Sequence, residues 1–183
     1  VAAVPDELSA LAETIEDQLV RADVLITTGG LSIGRGDAVE DVLTPLGPVR
    51  FDAVAMTPGR RLGVGTVEST PIFCLPGDPV SAQIAFETFV RPAVRQIAGR
   101  RELHRSCLPA SISTGWHSPP EKCEFVPVRL TGSPSRGYTA EPTSPPGTTR
   151  LLGLARANAI AIVPETTCTV VAGDVLRCLL LDA

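Results

Sequence analysis

The first part of the chain alternates between helical spacing of apolar residues and short, nearly continuous apolar runs. A stripe with a period of three to four predicts a helix from Asp6 to Arg21, with Pro5 and Asp6 as its start signal. The apolar positions of this stripe are Leu8, Leu11, Ile15 and Leu19. The next run, from Asp23 to Thr28, predicts a strand buried on both faces of a sheet, because it is almost wholly apolar and ends at two glycines.

The same alternation continues as far as Gly99. The spacing predicts a helix over 38–46, strands near 49–56, 62–67 and 71–75, and a long helix over 79–98. Pro92 is expected to kink that long helix, because proline has no amide N–H to donate. Helices and strands in this order predict an α/β layer with a mostly parallel sheet.

After Gly99 the chain becomes rich in short β-type runs separated by turn residues. The clearest strands are expected over 123–130, 159–163 and 175–181. We therefore predict two domains, an α/β domain over residues 1–103 and a small, mostly β domain over 104–183, with the charged stretch 100–105 as a linker or a helix extension.

Composition narrows the classes of partner and compartment. With 44% hydrophobic and 20% charged residues, the chain has the composition of a globular protein. Its net charge of -4 gives no basic surface for nucleic acid or for an anionic membrane, and no apolar run is long enough to span a bilayer. Five widely spaced cysteines without a C-x-x-C pair favour a reducing, cytoplasmic setting.

A glycine-rich loop over 27–37 joins the first predicted strand to the second helix. In an open α/β sheet such loops lie at the carboxyl ends of strands, and glycines let backbone N–H groups approach an anion. The spacing matches neither G-x-G-x-x-G nor G-x-x-x-x-G-K, so it predicts neither a dinucleotide fold nor a P-loop. The competing interpretation is a glycine-rich turn that binds no ligand.

The segment Leu75–Ser81 has the same strand–turn–helix order, so two loops are expected to face one cleft. Asp6, Asp37 and Asp78 each precede a predicted helix. Capping of the helix N-terminus explains each of them alone. If all three border one cleft, their mutual repulsion calls for a cation, and hard oxygen ligands indicate Mg²⁺.

Two further groups are candidates for chemistry. Arg60 and Arg61 lie at a turn between strands, where they are either an oxyanion clamp or a solvated pair. His104 and His117 have no Cys or His at ligand spacing, which argues against zinc. Trp116 is expected to pack in the second domain, as is Tyr138.

Several motifs, in this order, resemble the MoeA and gephyrin E-domain family of molybdopterin molybdenumtransferases. They cover nearly the whole chain and are DVLITTGGLSIG over 23–34 with Asp37, TPG over 57–59, LPGDPVSA over 75–82, the segment 79–99, RLLGLARAN over 150–158 and IAIVPE over 160–165. The resemblance implies a three-layer α/β/α MogA-like domain, N-terminally incomplete here, followed by a small β-barrel. It also implies insertion of molybdate into adenylylated molybdopterin with release of AMP, in a Mg²⁺-assisted step on a homodimer.

The resemblance, together with the loop positions and side-chain chemistry described above, assigns roles to individual positions. Asp6, Asp37 and Asp78 are predicted catalytic residues, with Asp6 and Asp37 as the Mg²⁺ ligands. The pterin phosphate or AMP group is predicted to contact Gly29, Gly30, Ser32, Gly34, Arg60, Pro76, Gly77 and Pro79. This chain has Asp78 where the family usually has Asn, and it lacks the lysines that the family commonly has at positions 53 and 57.

Three functions are compared on these grounds. The first is a molybdenumtransferase fragment that is weak or silent alone, because the resemblance places further domains before Val1. The second is a catalytically impaired paralogue that binds pterin or serves as a scaffold. The third, the related adenylyltransferase, is disfavoured by the appended β domain and by the TTGGLSIG loop.

Overall fold

The computed structural model describes residues 3–5, 7–31 and 38–181. The chain forms two compact units. The first contains residues 1–54 and 61–90, and the second contains residues 55–60 and 91–183. The predicted domain boundary after residue 103 stays a prediction. No helix within the described ranges is long and apolar enough to cross a membrane.

The first unit is a sheet with helices. Its helices are α1 (Leu8–Leu19), α2 (Ala38–Leu43) and α3 (Pro79–Ala85), and its strands are β1 (Leu25–Thr28), β2 (Val49–Ala53), β4 (Arg61–Val67) and β5 (Thr70–Leu75). Each element falls within or close to the segment that the apolar pattern predicts. The predicted start signal Asp6 lies outside the described residues.

The strand order in this sheet is β1-β5-β4-β2. Only β1 and β5 run parallel, because β5–β4 and β4–β2 are antiparallel pairs. The expectation of a mostly parallel sheet is therefore wrong for the described strands. The physical reason is the short connection between Val67 and Thr70, which forms a hairpin and reverses the chain, whereas parallel strands need a long crossover.

The core of the first unit forms where α1 and α2 cover the sheet. Ile72 and Cys74 of β5 are fully buried and cluster with Ile15 of α1 and Leu43 of α2. Strand β1 is the outermost described strand of the sheet, and Ile26 is 40% exposed. The expectation that this strand is buried on both faces is wrong here, because Ile26 and Thr28, which share one face, are both exposed.

The predicted long helix over 79–98 is divided into three parts. After α3 the backbone forms a π-helical segment, Phe86–Val90, and continues as α4, Arg91–Ile97. Pro92 follows directly, and because it has no N–H it cannot make the regular bond to the carbonyl four residues earlier. We attribute the π-helical segment to this proline, and the expected kink stays a prediction.

The second unit is mostly β-structure. Its strands are β3 (Met56–Thr57), β6 (Cys107–Ile112), β7 (Trp116–His117), β8 (Cys123–Ser133), β9 (Gly137–Pro142), β10 (Ala159–Val163), β11 (Thr169–Val170) and β12 (Val175–Leu180). Its helices are α4 and the short α5 (Leu151–Arg156). Helix α4 lies within the predicted helix over 79–98, whereas the sequence patterns do not predict α5.

Five of these strands close into a barrel. The order is β10-β12-β6-β9-β8, and β8 pairs back with β10, so that no edge is left among the five. Val128, Ala161 and Cys178 point into a core that is fully buried. Trp116 and Tyr138 pack against this core, as predicted. The small β-barrel expected from the sequence is confirmed.

Candidate functional site

The candidate site lies at the edge of the first unit's sheet where β1 and β5 end. Gly29 and Gly30 follow β1 directly, with φ angles of 89° and 70°. The Gly29 N–H donates to the Leu75 carbonyl oxygen at 3.0 Å, which joins the two strand ends. Left-handed φ values are costly for residues with a Cβ, so glycine is the residue that suits this turn.

The turn after β5 comes into contact with the turn after β1. A Cβ placed on Gly77 would lie 3.2 Å from the Cα of Gly29, which is closer than an ordinary carbon–carbon contact. The backbones of the two turns therefore touch. This confirms the expectation that the two loops lie side by side, because their strands are parallel and end at the same edge.

Gly30 packs against the helix that follows the glycine-rich loop. A Cβ on Gly30 would lie 2.6 Å from Cγ2 of Val39, in the first turn of α2. Val39 is itself 5% exposed, so this contact is part of the core. The close approach fixes the first turn of α2 beside the glycine turn.

Asp78 caps helix α3. Its Oδ1 accepts a hydrogen bond from the Ser81 N–H at 2.8 Å and a second from the Ser81 hydroxyl at 2.7 Å. Pro79 occupies the first turn of the helix, as predicted from its position after Asp78. The capping interpretation of Asp78 is confirmed, and its catalytic role stays a prediction.

A basic side chain lies at the same edge of the sheet. Arg61 is the first residue of β4, and its Nη2 lies 2.6 Å from Oε2 of Glu40 on α2. The two side chains are 29% and 36% exposed, respectively. The sequence singles out Arg61 as a candidate clamp, but nothing in it indicates Glu40 as the partner.

The remaining predicted site residues are placed as follows. Asp6, Ser32, Gly34 and Asp37 lie outside the described residues. Arg60 belongs to the second compact unit, and its place among the phosphate-binding residues stays a prediction. In the part of the chain that the structure describes, no group of three or more His, Cys, Asp or Glu side chains is arranged to hold a metal ion.

A buried thiol lies beneath the site in β5. Burial raises the pKa of Cys74 to about 11. The thiol is therefore protonated at neutral pH and is not a nucleophile there. All five cysteines of the chain are free.

Two polar features stand out in the second unit. Glu124 is 2% exposed, and its Oε2 accepts a hydrogen bond from the Trp116 indole N–H at 2.8 Å. An open groove of about 430 Å³ lies between β8, β9 and α5 and is lined by Arg129, Glu141, Pro142, Thr143 and Arg156. Arg129 of this groove also donates to the Arg156 carbonyl oxygen at the end of α5.

The first unit is an α/β sheet whose turns after β1 and β5 touch, at the edge where such folds bind ligands, and the second unit contains a closed five-stranded barrel. A family model described as a probable molybdopterin binding domain matches residues 1–96. A second, described as the MoeA C-terminal region (domain IV), matches residues 109–181. The chain belongs to the molybdopterin-binding domain family and carries the MoeA C-terminal region.

Curated relatives match over almost the whole chain. Molybdopterin molybdenumtransferase 2 of Mycobacterium tuberculosis (strain ATCC 25618 / H37Rv) is 34% identical over an alignment of 178 positions, which covers 94% of this chain and 43% of the relative. Gephyrin of Dictyostelium discoideum is 28% identical over 204 residues, covering 99% of this chain and 28% of gephyrin. The chain thus spans less than half the length of these relatives.

A solved structure agrees with the fold. The molybdopterin biosynthesis MoeA protein of Pyrococcus horikoshii superimposes with a TM-score of 0.81 at 25% identity, covering 98% of this chain and 42% of that protein. The MogA-like α/β domain followed by a β-barrel, expected from the sequence, is therefore confirmed.

Proposed function

We propose that this chain is part of a molybdopterin molybdenumtransferase, which inserts molybdate into adenylylated molybdopterin and releases AMP in molybdenum cofactor biosynthesis. One observation carries the proposal. The turns after β1 and β5 touch at Gly29 and Gly77, at the sheet edge where α/β folds bind anionic ligands. The family match to a molybdopterin binding domain covers this same unit.

In this proposal the backbone binds the phosphate. The Gly30 N–H is proposed as a donor on one side, and Pro76, Gly77 and Pro79 are proposed as the facing wall. Gly29 is proposed to line the site without donating to the phosphate, because its N–H is donated to the Leu75 carbonyl oxygen. Ser32 and Gly34 are assigned to the same group by the family resemblance. Backbone donors fixed in a turn need no reorganisation when charge develops, so they favour cleavage of the adenylate by an oriented oxyanion.

The Mg²⁺ ion belongs to the proposal as well. Carboxylate oxygens are the ligands it prefers, and Asp6 and Asp37 are the residues proposed to hold it. When bound, it would neutralise negative charge on the adenylate. Asp78 is the least suited of the three carboxylates, because its Oδ1 is already hydrogen-bonded to Ser81.

A homodimer and a cytoplasmic location complete the proposal. Light scattering after size-exclusion chromatography tests the dimer, for which we expect a mass of about twice 19.2 kDa. A monomer at all accessible concentrations would contradict this part of the proposal without affecting the assigned ligand.

The central test combines binding with turnover. Adenylylated molybdopterin is titrated into the 183-residue chain, and AMP release is then followed after addition of molybdate and Mg²⁺. We expect binding, with AMP release slow or undetectable, because the chain spans less than half of its relatives. A longer protein that contains this chain and the preceding domains should release AMP rapidly.

Two variants make the test specific to the site. Gly77→Ala pushes the two turns apart and should weaken binding, whereas Gly137→Ala, in the second unit with open space around its Cβ position, should not. Binding without AMP release by the longer protein would favour the pterin-binding paralogue. No binding, or equal binding by both variants, would refute the assignment.

A further inference from the structure

Helix α5 is held in place at both of its ends. Gly153, near its start, is buried, and a Cβ at this position would clash with Oγ of Ser144 in the segment after β9. Two residues after the helix, Asn158 binds the backbone of Leu130 in β8. Its Oδ1 accepts a hydrogen bond from the Leu130 N–H at 2.7 Å, and its Nδ2 donates to the Leu130 carbonyl oxygen at 3.0 Å. The helix therefore has a fixed position against β8 and β9.

This fixed helix presents two leucines to solvent. Leu151 is 58% exposed and Leu152 is 61% exposed, whereas leucine is among the residues most often buried in globular proteins. Leu152 and Arg156 are four residues apart, so their side chains are neighbours on the surface of the helix. Arg156 also lines the groove between β8, β9 and α5, so the leucines and the groove form one continuous surface. We call it the α5 surface and define it by Leu151, Leu152, Arg129, Glu141 and Arg156.

The groove carries charged side chains that form no ion pair with one another. Arg129 of β8 and Glu141 of β9 are directly opposite in the strand register, where unlike charges commonly pair. Among the residues that the structure describes, neither of them takes part in an ion pair, and neither does Arg156. The hydrogen bond from Arg129 Nη1 to the Arg156 carbonyl oxygen is long, at 3.5 Å, so it holds the guanidinium group weakly. Both arginines are exposed, and their donors can reach a partner.

The charge around the α5 surface is opposite to that of the whole chain. Arg150, the N-cap residue of α5, is exposed and makes no side-chain capping bond. Together with Arg129 and Arg156 it gives three positive charges against the one negative charge of Glu141, whereas the chain as a whole carries -4. A positive patch of this kind attracts acidic groups. The carboxylate of Glu141 would repel a continuous row of phosphates, which argues against a nucleic acid as the partner.

We propose that the α5 surface docks a segment of another protein that carries a carboxylate beside apolar side chains. The carboxylate would pair with the guanidinium groups of Arg129 and Arg156, and the apolar side chains would cover Leu151 and Leu152. Burial of the leucines favours association without directing it, and the charged hydrogen bonds give it specificity. A surface built from one short helix and one groove fits the transient class of interface. The inference concerns the second unit and does not depend on the proposed function.

The competing explanation is that these side chains are solvated and bind no partner. Exposed leucines and arginines occur on many protein surfaces, and solvated ones would give the chain no selective affinity for peptides that are both acidic and apolar. The two explanations therefore differ in a measurable affinity and in its dependence on Arg129 and Arg156.

The first step of the test identifies peptides that bind the full 183-residue chain. The probe is a phage-displayed library of random dodecapeptides, and we expect enriched sequences in which Asp or Glu stands close to Leu, Ile or Phe. The most enriched peptide is then synthesised with a fluorescent label, and its Kd is measured by fluorescence anisotropy. A matched peptide with Asn or Gln in place of the acidic residue should bind about 10-fold more weakly, because it loses charge-assisted hydrogen bonds.

Variants of the chain locate the bound peptide. Arg129→Gln and Arg156→Gln should each reduce its affinity by about 10-fold or more, and Leu152→Ala should reduce it by about 3- to 10-fold. Glu141→Gln should raise the affinity by about 2- to 5-fold, because a like charge leaves the groove. Arg136→Gln is the matched control, because Arg136 is an exposed arginine in the turn between β8 and β9, roughly 13 Å along the hairpin from Arg129. This control should change the affinity by less than about 2-fold.

The outcomes separate this inference from other uses of the groove. Loss of peptide affinity in Arg129→Gln and Arg156→Gln, with Arg136→Gln unchanged and all three folded by circular dichroism, would support it. No enrichment, or equal affinity for all variants, would overturn it. Arg129-dependent binding of heparin without any enriched peptide would also overturn it, because the surface would then recognise a polyanion. Loss of adenylylated molybdopterin affinity in these variants, without peptide binding, would assign the groove to the small ligand; this inference would fall and the proposed function would stand.

Discussion

Replacing Gly30 with alanine perturbs the candidate site at its most tightly packed point. Alanine would have to adopt a φ of 70°, which costs roughly 1–2 kcal/mol for a residue with a Cβ. Its methyl group would also lie 2.6 Å from Cγ2 of Val39, about 1 Å closer than a normal carbon–carbon contact. Overpacking of this kind costs about 1–3 kcal/mol, so the variant should lose about 2–5 kcal/mol of unfolding free energy.

Gly29 provides the matched control. Its φ of 89° is also left-handed, but the nearest atom to its Cβ position is 4.0 Å away, which is an ordinary contact. Gly29→Ala should therefore cost only the backbone term of about 1–2 kcal/mol. Because both glycines belong to the same turn of the same unit, the difference between the variants isolates the clash with Val39.

A double-mutant cycle with Val39→Ala completes the test. Truncation of Val39 removes Cγ2 and leaves its Cβ, which is 3.5 Å from the Cβ position of Gly30. The double variant should then lose about 1–3 kcal/mol less than the sum of the single variants. Urea unfolding of the first unit followed by far-UV circular dichroism is the assay, and Trp116 fluorescence reports separately on the second unit. Additivity within about 0.5 kcal/mol would refute the reasoning.

Two further predictions concern buried titratable groups. The raised pKa of Cys74, about 11, keeps the folded thiol protonated while the unfolded thiol ionises near pH 9. The unfolding free energy of the first unit should therefore fall by about 2 kcal/mol between pH 9 and pH 11, and in Cys74→Ala this fall should be absent from the measured pH profile. In the second unit, Trp116→Phe removes the indole donor from a carboxylate that is 2% exposed, so by thermal unfolding it should cost about 1.5–3 kcal/mol more in the wild type than in a Glu124→Leu background, which has no acceptor. Equal costs in the two backgrounds would show that this hydrogen bond contributes nothing.

Local patterns of the sequence predict many of the strands and turns of this fold. The apolar run that ends at Thr28 is followed by Gly29, the one that ends at Leu75 is followed by Pro76 and Gly77, and both runs become strands whose ends meet. Strand and turn are encoded within a few residues, and two parallel strands in one sheet end at the same edge by geometry. The contact between Gly29 and Gly77 could therefore be predicted, although its distance could not.

Pairings between remote segments could not be predicted in the same way. Met56 and Thr57 lie between two strands of the first sheet, yet they pair with β8 about 67 residues later and belong to the second unit. Likewise, no sequence motif indicates the hydrogen bond from Trp116 to Glu124, which forms because β7 and β8 belong to one folded unit. Such pairings depend on how whole elements pack, and no local spacing encodes them.

The direction of β4 decides whether Arg61 belongs to the site at all. In the mostly parallel sheet that the sequence predicts, β4 would begin at the edge where β1 and β5 also begin, and Arg61 would lie at the opposite end of the sheet from the glycine turns. The hairpin between β4 and β5 reverses the strand, so that its first residue comes to the edge where β5 ends. Glu40 on α2 reaches the same edge from the glycine-rich loop and pairs with Arg61 there. A single reversal of strand direction thus brings a cation beside two turns whose backbones suit an anion, which is why Arg61 is a stronger candidate in the structure than in the sequence.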